Sequence, residues 1–163
     1  MKFNKYQIGQ RLSFLDSIKL KKIQIDPLEK STLDLKALNN CLKMNVSEIG
    51  QCSDFQYKVY EGSAYAYGFK WDIKLEIFDN VILKITSTFV DSKSNSDNNL
   101  ARISKSLIKE YGSQEKKYTD DSGLHIMWVL EEGFIYLNKI SENQDKTSFL
   151  ISILSNEYLD KYC

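Results

Sequence analysis

One histidine, His125, and three cysteines, Cys41, Cys52 and Cys163, are the side chains of this chain best suited to covalent or proton-transfer chemistry. An imidazole is the usual general base near neutral pH, and a thiol within its reach would form a nucleophilic dyad. Partners in a dyad meet in space and not in sequence, yet no local signature marks Cys41 or Cys52 as a nucleophile. The ordinary reading of His125 is a partly buried imidazole on a strand. Three thiols, an odd number without ligand spacing, fit reduced cysteines better than a disulfide framework. With a single histidine and no closely spaced ligand pair, no metal site is expected. Asp120-Asp121 and Glu131-Glu132 would form an acidic cluster if the hairpin between them folds back under residues 115–122. Such carboxylates bind a hard cation or act as acid and base, although solvated turn residues read the same way. Gly62 and Gly68 lack the spacing and the following helix of a phosphate-binding loop, so no cofactor is expected.

The aromatic ladder Tyr65, Tyr67, Phe69 and Trp71, with Lys58, Lys70 and Lys74 near it, has the residue types of a single-strand nucleic-acid platform. The same alternation runs on without a break into Ile73, Leu75 and Ile77. That continuity reads as one core face of a sheet.

The elements that must position these groups follow from periodicity. Strands are expected at about 56–60, 64–77 and 81–90, with a turn at Glu61-Gly62-Ser63 and a bend at Gly68. Matching apolar faces favours a three-residue loop at 78–80, pairing Leu75 with Leu83 and Ile73 with Ile85. A two-residue turn at Asp79-Asn80 would set Leu75 across from Lys84. Helices are expected at 32–43 and, most clearly, at 98–111, where Leu100, Ile103, Leu107, Ile108 and Tyr111 share a side and Gly112 follows. Residues 126–130 and 134–140 form a hairpin around Glu131-Glu132-Gly133, before a strand at 149–154 and a terminal helix at 156–162. Ile8, Leu12, Leu15 and Ile18 mark one side of a helix over 6–18. Lys19 to Asp26 reads as an edge strand guarded by lysines. Polar residues 113–123 read as a connection. Gly50, Trp71 and Asn80 answer to Gly112, Trp128 and Gly133, an order common to two halves, 32–90 and 98–162. The expected fold is therefore a single α+β domain over 1–163: an antiparallel sheet with helices packed on one face, in two similar helix-plus-strands halves.

Composition bounds the function. Hydrophobic residues at 42% and charged ones at 27% are those of a globular domain. Twenty-two basic residues balance twenty-two acidic ones, and the basic set is nearly all lysine, with only Arg11 and Arg102. No bulk field draws the chain to nucleic acid or to a membrane, and the scarcity of arginine counts against base readout. The first residues carry no apolar signal core, and nothing approaches the ~20 apolar residues of a membrane helix, so a cytoplasmic protein is expected.

In size, lysine- and asparagine-rich composition, α+β layout, and lack of both a leader and catalytic motifs, the chain resembles the small cytosolic immunity proteins of bacterial polymorphic-toxin systems. Contact-dependent growth inhibition is one such system. The resemblance implies a protein that is not an enzyme, has no cofactor, and neutralises a cognate toxin by tight docking. From this chain's own chemistry, the candidate contact residues are Asp120, Asp121, Glu131 and Glu132 with Tyr60, Tyr65 and Tyr118. Carboxylates steer a cationic partner and tyrosines give contact area at low entropic cost. The alternatives are a small enzyme or ligand-binding domain using His125 or a carboxylate pair, and a nucleic-acid-binding sheet.

Overall fold

The computed structural model describes residues 1–23 and 58–158. The expected helix at 32–43, all three cysteines, and residues 159–162 of the expected terminal helix lie outside the described residues; 156–158 is helical. A two-stranded hairpin, β1 (Lys2–Phe3) and β2 (Tyr6–Gln7), precedes a short helix, α1 (Phe14–Lys19). The other strands are β3 (Lys21–Ile23), β4 (Lys58–Ala66), β5 (Phe69–Phe78), β6 (Val81–Ser92), β7 (Lys116–Asp120), β8 (Gly123–Leu130), β9 (Gly133–Ser141) and β10 (Lys146–Ser155). The helix α2 (Ser96–Tyr111) joins β6 to β7. These eight strands form one antiparallel sheet in the order β3-β4-β5-β6-β10-β9-β8-β7. Two meanders thus meet at the β6–β10 pair.

One face of the sheet is the core. Leu75, Ile85, Ile153, Ile135 and Trp128 lie directly opposite one another across five strands, none more than 1% exposed. Ile103 and Leu107 of α2 belong to the same apolar cluster, as do Phe3, Tyr6 and Ile8. Both buried indoles donate to backbone carbonyls, Trp71 to Ala66 and Trp128 to Gly112, each at 2.9 Å. Burial of these polar N–H groups therefore leaves no orphan donor. The helix α2 ends as its sequence announces: Gly112 takes a φ of 84° and returns its N–H to Ile108.

Several expectations fail for identifiable reasons. Tyr67 and Gly68, with φ of 54° and 86°, form a two-residue hairpin turn, so residues 64–77 are two strands and not one bent strand. Gly62 makes no turn. It lies within β4, where a Cβ would collide with the side chain of Leu20. The β5–β6 turn is the two-residue Asp79-Asn80, both left-handed. A bulge between Glu76 and Ile77 then advances the register by one, which sets Leu75 opposite Ile85 and keeps the apolar face intact. Likewise Glu131-Glu132 alone turns the chain between β8 and β9, with Leu130 opposite Gly133. Residues 116–120, expected as a connection, form the edge strand β7. Residues 6–18 are β2 and α1 and not one helix. The mirrored strand order equates β4-β5-β6 with β8-β9-β10, so Trp71 of β5 does not answer to Trp128 of β8. Of the edge strand expected over 19–26, Lys21–Ile23 is found as β3, outermost beside β4 among the described residues, while Lys19 ends α1 and residues 24–26 lie outside the described residues.

The second face of the sheet is polar at its middle. Glu76 and Lys84, cross-strand partners, are both fully buried, with the ammonium 3.6 Å from the carboxylate. The Tyr158 hydroxyl donates to Glu76 at 2.6 Å, and its ring lies under the Lys84 ammonium at 5.2 Å. A buried pair of this kind adds little over an apolar pair, but removing one member strands the other charge. Lys84→Met is therefore expected to lower unfolding stability by about 3–5 kcal/mol in a denaturant titration, with Glu76→Leu added to it restoring most of the loss.

Candidate functional site

The residues proposed from sequence do not converge. Asp120 and Asp121 lie at one end of β8 and Glu131 and Glu132 at the other, about 25 Å away at ~3.3 Å per residue. The expected acidic cluster does not form. Glu132 instead binds the amino group of Met1 at 2.8 Å, which holds its carboxyl below the usual range. The Glu131 carbonyl accepts from the Asn156 amide. Tyr60 and Tyr65 belong to β4, five strand spacings from β8 and so roughly 24 Å across the sheet. Tyr60 is half-buried against the core, whereas Tyr65 is 70% exposed. The proposed combined surface is thus three separate places.

Around His125 the fold does assemble a polar cluster. Antiparallel pairing of β7, β8 and β9 sets Tyr118 and Asn138 opposite His125 on the sheet's second face. The imidazole is buried, and its Nε2 lies 2.7 Å from Asp120 Oδ1 and 2.9 Å from Ser122 Oγ. Its Nδ1 meets the Tyr136 hydroxyl. Tyr118 stacks on the ring at 4.5 Å and 12°. Asp120 Oδ1 also accepts from the Ser122 N–H at 2.8 Å and from its hydroxyl at 2.6 Å, so the Asp-x-Ser turn closes on itself.

Serine, histidine and aspartate are all present, but their wiring is not that of a nucleophile relay. In a relay the carboxylate holds Nδ1 and the nucleophilic hydroxyl sits on Nε2. Here Asp120 and Ser122 share Nε2, and the serine hydroxyl is spent on the carboxylate. One tautomer satisfies every bond: Nε2–H donates to Asp120 and Ser122, and Nδ1 accepts from Tyr136. The cluster is a clamp that fastens the edge strand β7 and its turn to β8 and β9. Sequence reading singled out His125 and Asp120 but missed Ser122 and Tyr136. The Asp-x-Ser spacing was the one available signal. Among the described residues no three histidine, cysteine or acidic groups are placed to hold a metal ion, and no helix is long and apolar enough to cross a membrane.

A second feature was read wrongly from sequence. The helix α1 buries none of its residues, and Phe14, Leu15 and Ile18 are 78%, 66% and 62% exposed. Six residues are too few for a helix to persist alone. It is held from outside. Ser13 caps it through the Asp16 N–H, and Lys5 pairs with Asp16. Before it, the Gly9 and Leu12 N–H groups donate to the carbonyls of Ile82 and Asn80, and the Ile82 N–H donates to the Gln10 carbonyl. After it, Leu20 is buried against Gly62 and β3 pairs with β4.

The clamp predicts acid behaviour. Hydrogen bonds from Ser122 and His125 depress the Asp120 carboxyl from 3.8 to about 2. A depressed carboxyl stabilises the fold above its unfolded value, and that contribution fades as pH falls toward the folded value. Thermal denaturation of wild type should therefore lose stability between about pH 4 and pH 2. Asp120→Asn should be less stable at neutral pH and show a shallower decline over that window.

Compared with known proteins, the chain matches no family model, no curated protein and no solved structure.

Proposed function

We propose that this protein is a cytoplasmic inhibitor of the immunity-protein kind, which neutralises a cognate toxin by docking on it and not by catalysis. The observation that carries the reading is α1: three large apolar side chains displayed to solvent on a helix that contributes nothing to the core, yet is pinned at both ends. Contiguous exposed apolar groups mark protein contact sites, and a pre-ordered element loses little entropy on binding. Single exposed apolar residues are commonplace; three on one capped turn are not. The contact surface moves accordingly from the scattered acidic residues to α1, with Tyr65 retained from the original set. Lys5 and Asn4 join the two regions, the first pairing with Asp16 of α1 and the second donating to the Tyr65 carbonyl at 2.6 Å.

The test is co-expression with the toxin encoded beside this gene. Wild type should restore growth and co-purify with the toxin. The triple variant Phe14→Ala, Leu15→Ala, Ile18→Ala should keep its melting temperature, because it removes nothing buried, while its affinity falls by about a hundredfold or more. Full protection by the triple variant would remove α1 from the interface, and failure of wild type to bind the toxin would end the reading.

A further inference from the structure

Beside α1, across the Asn4-Lys5 turn, the β4–β5 turn and the last turn of α2 enclose an open groove of about 490 Å³. Lys2, Asn4, Tyr65, Tyr67, Lys109 and Glu110 line it. Its floor is Tyr67, whose φ of 54° is a left-handed conformation that a bulky side chain keeps only under tertiary constraint. The constraint is visible: the ring packs edge-on to Phe3 at 5.7 Å and to Trp71 at 6.4 Å, and those two are edge-on to each other at 5.6 Å. Residue types that relieve such a turn, asparagine or glycine, would give up both contacts and the phenol.

The groove is rich in donors and poor in acceptors. Burial, then Tyr111 and Glu110 nearby, push the Tyr67 phenol well above its ordinary range, so its hydroxyl stays a neutral donor. No hydrogen bond from the described residues occupies that hydroxyl. The neighbouring Tyr111 differs, since its hydroxyl is already committed to the Lys2 backbone in both directions, at 3.0 and 3.1 Å. Lys2 and Lys109 bring two ammonium groups, and Glu110 is the one carboxylate among the lining residues. Lys2 and Glu110 pair loosely at 3.9 Å with both side chains partly exposed, a contact worth little in water. Two further cations lie next to lining residues but outside the lining itself. Arg102 lies over the Phe69 ring at 5.3 Å and against Gly68, and Lys70 pairs across the hairpin with Tyr65.

We infer that this groove receives an acidic segment of the partner protein, a carboxylate of which takes Lys109 and the Tyr67 hydroxyl while drawing Lys2 away from Glu110. The inference rests on the docking reading and adds the partner's chemistry to it: α1 supplies apolar area, and the groove reads charge.

Two measurements test it. In the first, the isolated chain is titrated with a glutamate-rich octapeptide and followed by amide NMR, with acetate as control. Shifts should cluster at Lys2, Tyr65, Tyr67 and Lys109, shrink at high salt, and vanish in Lys109→Glu. Shifts elsewhere, no shifts, or equal shifts with acetate would overturn an acidic-segment site. In the second, calorimetry with the toxin compares wild type, Tyr67→Phe, Lys109→Glu and the α1 triple variant. Tyr67→Phe keeps the packing and removes only the donor, so it should weaken binding by about tenfold at an unchanged melting temperature. Lys109→Glu should weaken it by about tenfold or more and flatten its salt dependence. Groove variants that bind like wild type while the α1 variant does not would sink the groove and leave the docking reading standing. A toxin that binds none of the four proteins would sink the docking reading itself.

Discussion

Everything in this fold hangs on the nine-pair ladder between β6 and β10. Without it the chain is two meanders, each with a half-formed apolar face and an open edge. With it, Ile85 and Ile153 stand opposite one another and complete a row from Leu75 to Trp128 that water does not reach. The pairing is between strands about 60 residues apart in sequence, so its chain-closure entropy must be recovered from that apolar row. The helix α2 shortens the search, because it carries the chain from the end of β6 back across the core face while burying Ile103 and Leu107 on the way.

The same ladder decides which edges of the sheet stay open. Among the described residues the sheet has its edges at β3 and β7, and both carry adjacent lysines, Lys21-Lys22 and Lys116-Lys117. Charged edges resist pairing with foreign strands, and the margins around α1 and the β4–β5 turn carry exposed apolar groups and lysines. At the β4–β5 margin the backbone is held in costly geometry, with a tyrosine in a left-handed turn. Strain of this sort persists only where the rest of the fold over-determines it.

The His125 cluster shows how residue type and residue role part company. Its members are those of hydrolytic enzymes, yet Asp120 and Ser122 crowd one nitrogen and leave the other to Tyr136. The outcome is a fastening for an edge strand whose Tyr118 ring also stacks on the imidazole. Buried polar networks that are well satisfied rigidify the element they sit in, and β7 has little apolar contact of its own beyond Tyr118.

The sequence by itself determined the antiparallel α+β class, the core role of Trp71, Ile73 and Leu75, the helix ending at Gly112, the β8–β9 hairpin and the lysine-guarded edge at β3. Each of these is written in local periodicity or in a residue with one strong conformational preference. Only the tertiary structure decided what depends on a distant neighbour. Gly62 looks like a turn until Leu20 is seen against it, and Tyr67 looks like a strand residue until Phe3 and Trp71 hold it left-handed. The register of β5 on β6 hinged on a one-residue bulge that no pattern announces, and β7 shows almost no alternation because Tyr118 alone of its five residues is partly buried. The candidate site was the least legible. Leu15 and Ile18 fit the period of a buried helix, and a hydrophobic period records only that side chains are apolar, whereas whether anything lies opposite them is set by the packing of the whole chain.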